Sequence, residues 1–325
     1  MSFIEELAEK IKGKNLKIVY PEAEDLRIMG AAIRHQKDGI IQPILLGNPD
    51  KLAKIAKEEG WDLSGITIMD PENNPDQEKF VDCFVERRKG KATPEKAREL
   101  LKNPNYFGVV LVQLGLADGM VSGAVGTTGD TIRPALQIIK TRPSSKIVSG
   151  VMVMVGPENQ RYIFADIAVN ISPSEEEIAA IAGDSAWTAK QFGIDPTVAL
   201  LSFSTFGSAN CPEQEKMARA TALAKSAYPD LFIDGEMQFD AAIDPEVGER
   251  KAPNSLVAGK AKVFVFPDLQ AGNIGYKIAQ RLGGYVALGP ILQGIAKPVN
   301  DLSRGCSEED AYQLAIVTAF QALES

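Results

Sequence analysis

Short apolar runs alternate with segments of helical spacing along the first half of the chain. Leu16–Tyr20 and Ile40–Leu46 are predicted to be strands, and residues 26–39 and 49–60 are predicted to be helices. Strands that alternate with helices usually pair in parallel, with helices on both faces of the sheet. The pattern therefore predicts an α/β fold for this half of the chain.

The stretch Asp118–Thr141 reads DGMVSGAVGTTGDTIRPALQIIKT and follows the apolar run Val109–Leu116. The apolar run predicts a buried strand, and a helical pattern starts near Thr131. Glycines lie between the two, where small residues allow backbone N–H groups to approach an anion at a helix N-terminus. Polar and charged side chains accompany them: Thr127, Thr128, Thr131 and Arg133. This segment predicts an anion site, although a tight turn packed with small residues explains the same glycines.

The second half begins with a different pattern. Lys146–Val155 is predicted to be a strand of another sheet, with Arg161–Asp166 as its hairpin partner. A long helix is predicted over Ser174–Phe192, with a capping box at its start. Because 325 residues are many for one hydrophobic core, we expect two domains with a boundary near residue 145.

Charge and cysteine content narrow the classes of function. The formal net charge of −8 argues against nucleic acid or an anionic membrane as the main partner, although a local basic groove for a small anion remains compatible with it. Cys83, Cys211 and Cys306 are widely spaced, which predicts neither a disulfide framework nor a metal-ligand pair. No signal-peptide pattern and no apolar stretch of bilayer length is found. We therefore expect a cytoplasmic protein.

His35 is the only histidine of the chain. A Ser-His-Asp or Cys-His catalytic set would have to use it, and histidine-rich zinc sites are excluded. It stands near the end of a predicted helix. We expect it to be a surface residue or one stabilised by the helix dipole.

A charged cluster lies within Phe80–Leu101, which is predicted to be a single helix. Its members surround Gly90: Glu86, Arg87, Arg88, Lys89 and Lys91. Such a cluster is usually a solvated surface. An arginine that binds the phosphates of a nucleotide-like ligand is the alternative.

Two further charged segments allow two interpretations each. The acidic segment Asp234–Asp240 is compatible with a Mg²⁺ site, or with pairing to cations such as Arg250 and Lys251. Lys277 and Arg281 are spaced i and i+4 on a predicted helix. Their two positive charges are suited to binding a polyphosphate, or both side chains face solvent without a ligand.

Ser303, Arg304 and Asp310 place a hydroxyl, a guanidinium and a carboxylate within eight residues at the start of a predicted helix, which runs from Asp310 to Leu323. Ser307, three residues before Asp310, resembles the first residue of a capping box. Asp310 is therefore either a structural cap or a chemical group, and spacing alone does not decide.

Three segments together resemble the phosphate acetyltransferase family, of the short single-function type. They are DGMVSGAVGTTGDTIRPALQIIKT, DGEMQFDAAIDPEVGERKAPNSLVAGKAKVFVFPDLQAGNIGYK and GPILQGIAKPVNDLSRGCSEED. The resemblance covers essentially the whole chain. Relatives that transfer butyryl groups share part of the pattern.

The resemblance implies reversible transfer of an acetyl group between acetyl phosphate and coenzyme A, which gives acetyl-CoA and inorganic phosphate. It also implies a homodimer and no metal or organic cofactor. The implied fold is two α/β domains around a central cleft, related to isocitrate and isopropylmalate dehydrogenases. We expect residues 1–145 with 298–325 to form the first domain and residues 146–297 to form the second.

The resemblance also implies roles for individual residues. Asp310 matches the general base that takes the proton of the coenzyme A thiol, and Arg304 and Ser303 match residues that hold phosphate and stabilise charge on the carbonyl oxygen. The residues expected to bind coenzyme A are Arg87, Arg133, Arg281, Lys277 and Tyr276. Those expected to bind phosphate are Gly126, Thr127, Thr128, Gly129 and Thr131.

Two other functions remain as alternatives. Similar domains are appended to malic enzymes, where they bind acyl-CoA as regulatory modules, so this chain could bind coenzyme A without transferring an acyl group. A dehydrogenase activity is a weaker alternative, because the G-x-G-x-x-G dinucleotide fingerprint is absent and a fold does not fix a function.

Overall fold

The computed structural model describes residues 1–324. Its strands are β1 (Lys17–Tyr20), β2 (Gln42–Leu46), β3 (Thr67–Met69), β4 (Gly119–Ser122), β5 (Ser149–Val155), β6 (Arg161–Ala165), β7 (Val198–Leu201), β8 (Ile233–Met237), β9 (Val263–Val265), β10 (Val286–Gln293) and β11 (Val299–Asp301). Its helices are α1 (Phe3–Ile11), α2 (Leu26–Asp38), α3 (Pro49–Glu59), α4 (Gln77–Arg88), α5 (Pro94–Leu100), α6 (Pro104–Gln113), α7 (Thr128–Ile138), α8 (Glu175–Gln191), α9 (Pro212–Ala227), α10 (Phe239–Ile243), α11 (Pro245–Lys251), α12 (Leu269–Gly283) and α13 (Glu308–Leu323). None of these helices is long and apolar enough to cross a membrane.

The chain folds into two compact units, one formed by Met1–Arg142 with the segment from Ile295 onward, the other by Pro143–Gly294. The sheet of the first unit is parallel throughout, in the order β11-β4-β1-β2-β3. The sheet of the second has the order β10-β5-β6-β9-β7-β8, and it is antiparallel between β10, β5 and β6 and parallel from β6 to β8. The predicted α/β fold is confirmed. The domain boundaries at residues 145 and 298 and the central cleft stay predictions.

The prediction of a strand over Val109–Leu116 is wrong, because most of this run belongs to α6 and the strand before the glycine-rich loop is the shorter β4. Asn103 caps α6 by accepting hydrogen bonds from two of its first amides, and Pro104 follows at the first helical position. The helix is buried from Phe107 to Val112, so its apolar run looks like that of a buried strand.

The prediction of a single helix over Phe80–Leu101 is also wrong. The chain leaves α4 through Lys89 and Gly90, both in the left-handed region with φ of 49° and 81°, and it starts α5 at Pro94. Gly90 adopts this conformation without steric cost, and proline is favoured in the first turn of the new helix. The charged cluster therefore surrounds a helix end.

The second unit contains the predicted hairpin. β5 and β6 pair antiparallel with Val155 opposite Arg161, and residues 156–160 connect them. The predicted capping box of α8 is confirmed, since Ser174 Oγ accepts from the amide of Glu177 at 3.2 Å and the Glu177 carboxylate accepts from the Ser174 amide at 2.8 Å.

The prediction that His35 lies on the surface is wrong. Its side chain is fully buried because α2 packs against α13. Its ring stacks on Tyr312 with centroids 4.1 Å apart, and Nε2 lies 3.1 Å from the Tyr312 carbonyl oxygen. Burial, with a smaller effect of the neighbouring Arg34 charge, lowers the pKa of His35 to about 3. The imidazole is therefore a neutral part of the core.

We predict that His35 makes the protein sensitive to acid. In the unfolded chain a histidine takes up a proton near pH 6.5, whereas the folded protein resists this until about pH 3, so stability falls as the pH drops between these values. His35→Phe keeps an aromatic ring against Tyr312 and removes the titration. Between about pH 7 and about pH 4.5, the free energy of unfolding of the wild type should fall by roughly 3 kcal/mol more than that of the variant, as measured with urea. Parallel pH curves for the two proteins would contradict this assignment.

Candidate functional site

The carboxyl ends of β1, β4 and β11 lie side by side in the first sheet. The strand order reverses between β1 and β4, because β2 and β3 continue on one side of β1 while β4 and β11 lie on the other. In open parallel sheets ligands bind outside the carboxyl ends of the strands at such a switch point. The loops after these three strands contain the candidate site.

The glycine-rich loop after β4 closes around a carboxylate of the protein itself. Glu22, in the segment after β1, accepts hydrogen bonds from the backbone amides of Gly123 at 2.8 Å, Ala124 at 2.7 Å, Val125 at 3.1 Å and Gly126 at 2.8 Å. Successive amides that point at one anion form a backbone nest. The sequence predicted an anion-binding loop here, but it did not predict that Glu22 supplies the anion.

Gly123 is required for this loop. Its φ of +108° is unfavourable for other residues, and a Cβ atom here would collide with Oδ1 of Asp301 and with the carbonyl oxygen of Leu302. The loop after β4 therefore packs directly on the end of β11.

The predicted phosphate-binding residues divide into two groups. In the first group, the amide of Gly126 is bound to Glu22, Thr127 donates its amide and hydroxyl to Asp130, and the Thr131 side chain is fully buried. In the second group, Thr128 and Gly129 form the first turn of α7, and their amides have no acceptor within residues 1–324. Only the second group has backbone donors free to bind a phosphate.

Arg133 lies near this second group. Its side chain is exposed, and Nη2 would lie 3.9 Å from a Cβ atom built on Gly129. The guanidinium is thus close to the start of α7, where the helix dipole also favours an anion. The structure brings Arg133, Thr128 and Gly129 together as the sequence predicted.

Asp310 has the predicted capping contacts at the start of α13. Its Oδ2 accepts from the amide of Ser307 at 2.8 Å and from the Ser307 hydroxyl at 2.9 Å, and its own amide donates to Ser307 Oγ at 3.1 Å. The side chain is exposed, and Oδ1 accepts no hydrogen bond from the described residues. One carboxylate oxygen is therefore fixed, and the other is available to a substrate.

Ser303 and Arg304 are exposed in the loop between β11 and α13. Ser303 Oγ accepts weakly from the amide of Gly305 at 3.3 Å, and the Ser303 carbonyl accepts from the amide of Cys306 at 2.9 Å. The guanidinium of Arg304 has no partner among residues 1–324, so its charge faces solvent. These groups lie seven and six residues before Asp310 in the chain.

Arg27 was missing from the predicted site. It follows β1 and donates to the carbonyl oxygens of Ala124, Arg304 and Cys306, while it pairs with Asp25. The same pairing, chiefly through the side-chain hydrogen bonds, lowers the pKa of Asp25. No local motif signalled this role, because its carbonyl partners are about 100 and 280 residues distant in sequence.

Asp301, at the end of β11, is a second residue that the sequence did not predict. Its side chain is 2 % exposed, and burial raises its pKa to about 6, with the Glu22 and Asp130 charges acting in the same direction. The hydroxyls of Thr128 and Thr131 oppose this rise. Oδ1 of Asp301 has no hydrogen-bond partner within the described chain. A buried carboxyl group whose pKa is raised to about 6 therefore lies directly beneath the glycine-rich loop.

Arg87 is half-buried at the end of α4. Its Nε donates to the carbonyl oxygen of Ile138 at 2.6 Å, and its Nη2 donates to that of Ile139 at 2.8 Å. It therefore satisfies carbonyl groups at the C-terminus of α7, where a cation is favourable. The pKa of nearby Lys140 is lowered, first by desolvation and then by Arg87 and the neighbouring cations.

Tyr276, Lys277 and Arg281 lie on α12 in the second unit. Lys277 Nζ donates to Asn273 Oδ1 at 2.8 Å and lies 5.6 Å from the centre of the Tyr276 ring, and burial raises the pKa of Tyr276. Arg281 is exposed one turn further along. Their role in coenzyme A binding stays a prediction.

The acidic segment Asp234–Asp240 is divided among separate partners. Asp234 pairs with Lys225 at 3.0 Å and Asp240 with Lys251 at 2.7 Å. Among residues 1–324, no group of three or more His, Cys, Asp or Glu side chains is arranged to hold a metal ion. The pairing with lysine, which the sequence offered as one interpretation, is therefore present.

The sequence matches the family described as phosphate acetyl/butaryl transferase over residues 2–319. A phosphate acetyltransferase from Bacillus subtilis (strain 168) is 56% identical over 315 residues, which cover 97% of each chain. The structure resembles that of a phosphotransacetylase from Streptococcus pyogenes with a TM-score of 0.95 and 55% identity, over 99% of this chain and 98% of that one. It resembles a branched-chain phosphotransacylase from Enterococcus faecalis with a TM-score of 0.69 over 94% of this chain and 99% of that one, where 18% identity shows a shared fold only.

We predict that ionisation of Asp301 destabilises the folded protein. An unfolded aspartate titrates near 3.9, whereas Asp301 keeps its proton up to about pH 6, so stability is lost as the pH rises through this window. Asp301→Asn does not ionise. Relative to wild type, its free energy of unfolding should increase by roughly 3 kcal/mol between about pH 3.5 and about pH 7, measured with urea. If the free energies of unfolding of wild type and Asp301→Asn differ by the same amount at every pH, the pKa of Asp301 is not raised by folding.

Proposed function

Because the chain belongs to the phosphate acetyl/butaryl transferase family and is a phosphate acetyltransferase, we propose that it transfers the acetyl group of acetyl phosphate to coenzyme A by direct attack of the thiolate. Both substrates are bound together in this proposal. The observation that carries it is the grouping of Ser303, Arg304 and Asp310 at one end of the first sheet, each with a polar group that no described residue uses.

Asp310 is the proposed general base. Its Oδ2 is held by Ser307, so the direction of Oδ1 is set before a substrate arrives. A carboxylate of ordinary pKa takes the proton of an ordinary thiol at a cost of roughly 6 kcal/mol, so complete transfer before attack is expensive. We therefore propose that the proton moves to Asp310 while the carbon–sulfur bond forms.

Arg304 and Ser303 are proposed to stabilise the charge that develops during attack. As the carbon–sulfur bond forms, the carbonyl oxygen becomes an oxyanion, and then the bond to the phosphate oxygen breaks and inorganic phosphate leaves. An arginine without a protein counter-ion and a nearby hydroxyl are suited to both anions. Positioning of two substrates together supplies a further part of the rate.

The leaving phosphate is proposed to bind at the start of α7. The amides of Thr128 and Gly129 and the guanidinium of Arg133 support this proposal, because they combine free donors with positive charge at a helix N-terminus. Gly126, Thr127 and Thr131 are then proposed to shape the loop rather than to contact the phosphate, since Glu22, Asp130 and burial already engage them.

Coenzyme A is proposed to be held by Arg87 and Arg133, with Tyr276, Lys277 and Arg281 of the second unit as further candidates. Arg87 keeps Nη1 available while its other nitrogens bind the end of α7. Its loss is therefore expected to affect coenzyme A binding and the placement of α7 together. We also propose that the chemistry uses side chains and substrates without a metal or organic cofactor, and that the protein works in the cytoplasm.

We predict that Asp310→Asn lowers kcat by at least about 100-fold, the usual contribution of a general base, while KM for acetyl phosphate changes little. Formation of the thioester from coenzyme A and acetyl phosphate is followed by ultraviolet absorbance. Ser307→Ala is the matched control, because it removes the hydroxyl bonds of the capping box but keeps the carboxylate and the backbone amide of residue 307 that holds Oδ2, so its kcat should stay within about threefold of wild type.

Equal losses of kcat in Asp310→Asn and Ser307→Ala would assign Asp310 to helix capping. Binding of coenzyme A without turnover by the wild type would instead favour a regulatory acyl-CoA module. Butyryl phosphate is assayed in parallel, because each methylene in an apolar binding site changes the free energy by only about 1 to 3 kcal/mol. Faster butyryl transfer would overturn the acetyl assignment.

We propose a homodimer, in line with the family resemblance. An exposed apolar stripe on α12, formed by Ile274, Ile278 and Leu282, is compatible with an interface. Light scattering of the purified protein should therefore give a mass about twice the 35.0 kDa of one chain, without dependence on concentration in the micromolar range. A mass equal to that of one chain would contradict this prediction.

A further inference from the structure

We propose that Arg27 is a positioning residue for acetyl transfer, which fixes the backbone of the loop 303–306 and thereby the directions of Ser303, Arg304 and Asp310. This inference rests on the proposed function. Arg27 contacts main-chain oxygens and Asp25 but none of the reacting groups, so it acts through the loop.

All five N–H groups of the Arg27 guanidinium are used within the protein. Nη1 donates to the carbonyl oxygens of Arg304 at 2.8 Å and Cys306 at 2.9 Å. Nη2 donates to the carbonyl oxygen of Ala124 at 2.8 Å and to Asp25 Oδ2 at 2.8 Å, and Nε donates to Asp25 Oδ1 at 2.9 Å. No donor remains for a substrate, so a direct role in binding is excluded by hydrogen-bond capacity.

The guanidinium is itself held rigidly. Asp25 binds it through both carboxylate oxygens, and the same Oδ1 accepts the Arg27 amide at 3.0 Å as the N-cap of α2. A planar guanidinium bound in this two-point manner has a fixed plane as well as a fixed position. The N-terminus of α2 therefore determines where the two Nη1 hydrogens point.

The loop that Arg27 holds has few other restraints. Within residues 1–324, the remaining hydrogen bonds of residues 303–306 are local, from the Gly305 amide to Ser303 Oγ and from the Cys306 amide to the Ser303 carbonyl. Ser303, Arg304 and Gly305 are exposed, so packing does not fix them, whereas the Cys306 side chain is buried. Among the described residues, Arg27 supplies the long-range hydrogen bonds of this segment.

The same guanidinium joins this loop to the glycine-rich loop. Ala124 of the glycine-rich loop is held on both sides of its backbone. Its carbonyl oxygen accepts a hydrogen bond from Arg27, and its amide donates to Glu22 at 2.7 Å. Glu22 lies in the short segment between β1 and α2, and Arg27 lies in the first turn of α2. One side chain therefore sets the separation between the proposed phosphate-binding turn and the proposed catalytic loop, and a displacement of about 1 Å between such groups can cost about 100-fold in rate.

The test compares Arg27→Lys and Arg27→Gln with wild type, by kcat, by KM for both substrates and by melting temperature. A lysine keeps the charge but presents its donors from one point, so it reaches only some of the three carbonyl oxygens. We expect kcat to fall about 10-fold in Arg27→Lys and about 100-fold in Arg27→Gln, with each KM within about threefold of wild type. Partial rescue by lysine and a selective effect on kcat are not expected of a residue that only stabilises the fold.

Arg34→Lys is the matched control. Arg34 lies on the same helix, pairs with Glu309 at the start of α13 and stacks on the Tyr312 ring, but it does not contact residues 303–306. Its kcat should stay within about twofold of wild type even if the melting temperature falls. A control variant that loses as much kcat as Arg27→Gln would overturn the proposal.

If Arg27→Gln does not fold, Asp25→Asn provides the second measurement, because it keeps Arg27 and loosens its two-point restraint. It should lower kcat severalfold at unchanged KM. Arg27 variants with wild-type kcat, or with changes in KM alone, would overturn the positioning role. An inactive wild type would instead refute the proposed function, so the two failures are distinguishable.

Discussion

Four successive backbone amides that close on the Glu22 carboxylate are the constraint on which the first unit's site depends. Such a nest forms only when the chain curls tightly after β4, and Gly123 makes this curl sterically allowed beside the end of β11. The curl then fixes where α7 begins. The carboxylate comes from the segment after β1. The loops after β1 and β4 are therefore joined by hydrogen bonds at the switch point of the sheet without the help of a ligand.

Most of the carboxylates at this edge of the sheet are paired with hydrogen-bond donors of the protein itself. Glu22 is satisfied by amides and Asp25 by Arg27, whereas burial raises the pKa of Asp301 to about 6, so that its charge is suppressed below that pH. In the loop after β11 and the first turn of α13, the Arg304 guanidinium and Oδ1 of Asp310 have no partner among residues 1–324. The proposed chemistry therefore uses the loop that Arg27 holds and the first turn of α13.

The sequence predicted the parts of this arrangement that depend on neighbouring residues. The capping box of Ser307 and Asp310 and the loop and helix start of the glycine-rich segment follow from local spacing and turn chemistry. Glu22 and Arg27 could not be found in this way, because their main-chain partners are about 100 residues or more away. His35 was misjudged for the same reason, since Tyr312 covers it from the other end of the chain. Residues 109–116 were misread because a helix buried on all sides and a buried strand show the same apolar run.

The two roles considered for Asp310 are compatible, and the geometry explains why. A cap needs one carboxylate oxygen near the amides of the first turn, and Oδ2 meets that need through Ser307. A base needs a lone pair held in a constant direction, because each freely rotating bond would have to be fixed in the transition state. The bonds to Ser307 remove that rotation, so the cap orients Oδ1. The capping box is therefore a reason to expect a well-placed base at this position, rather than an argument against one.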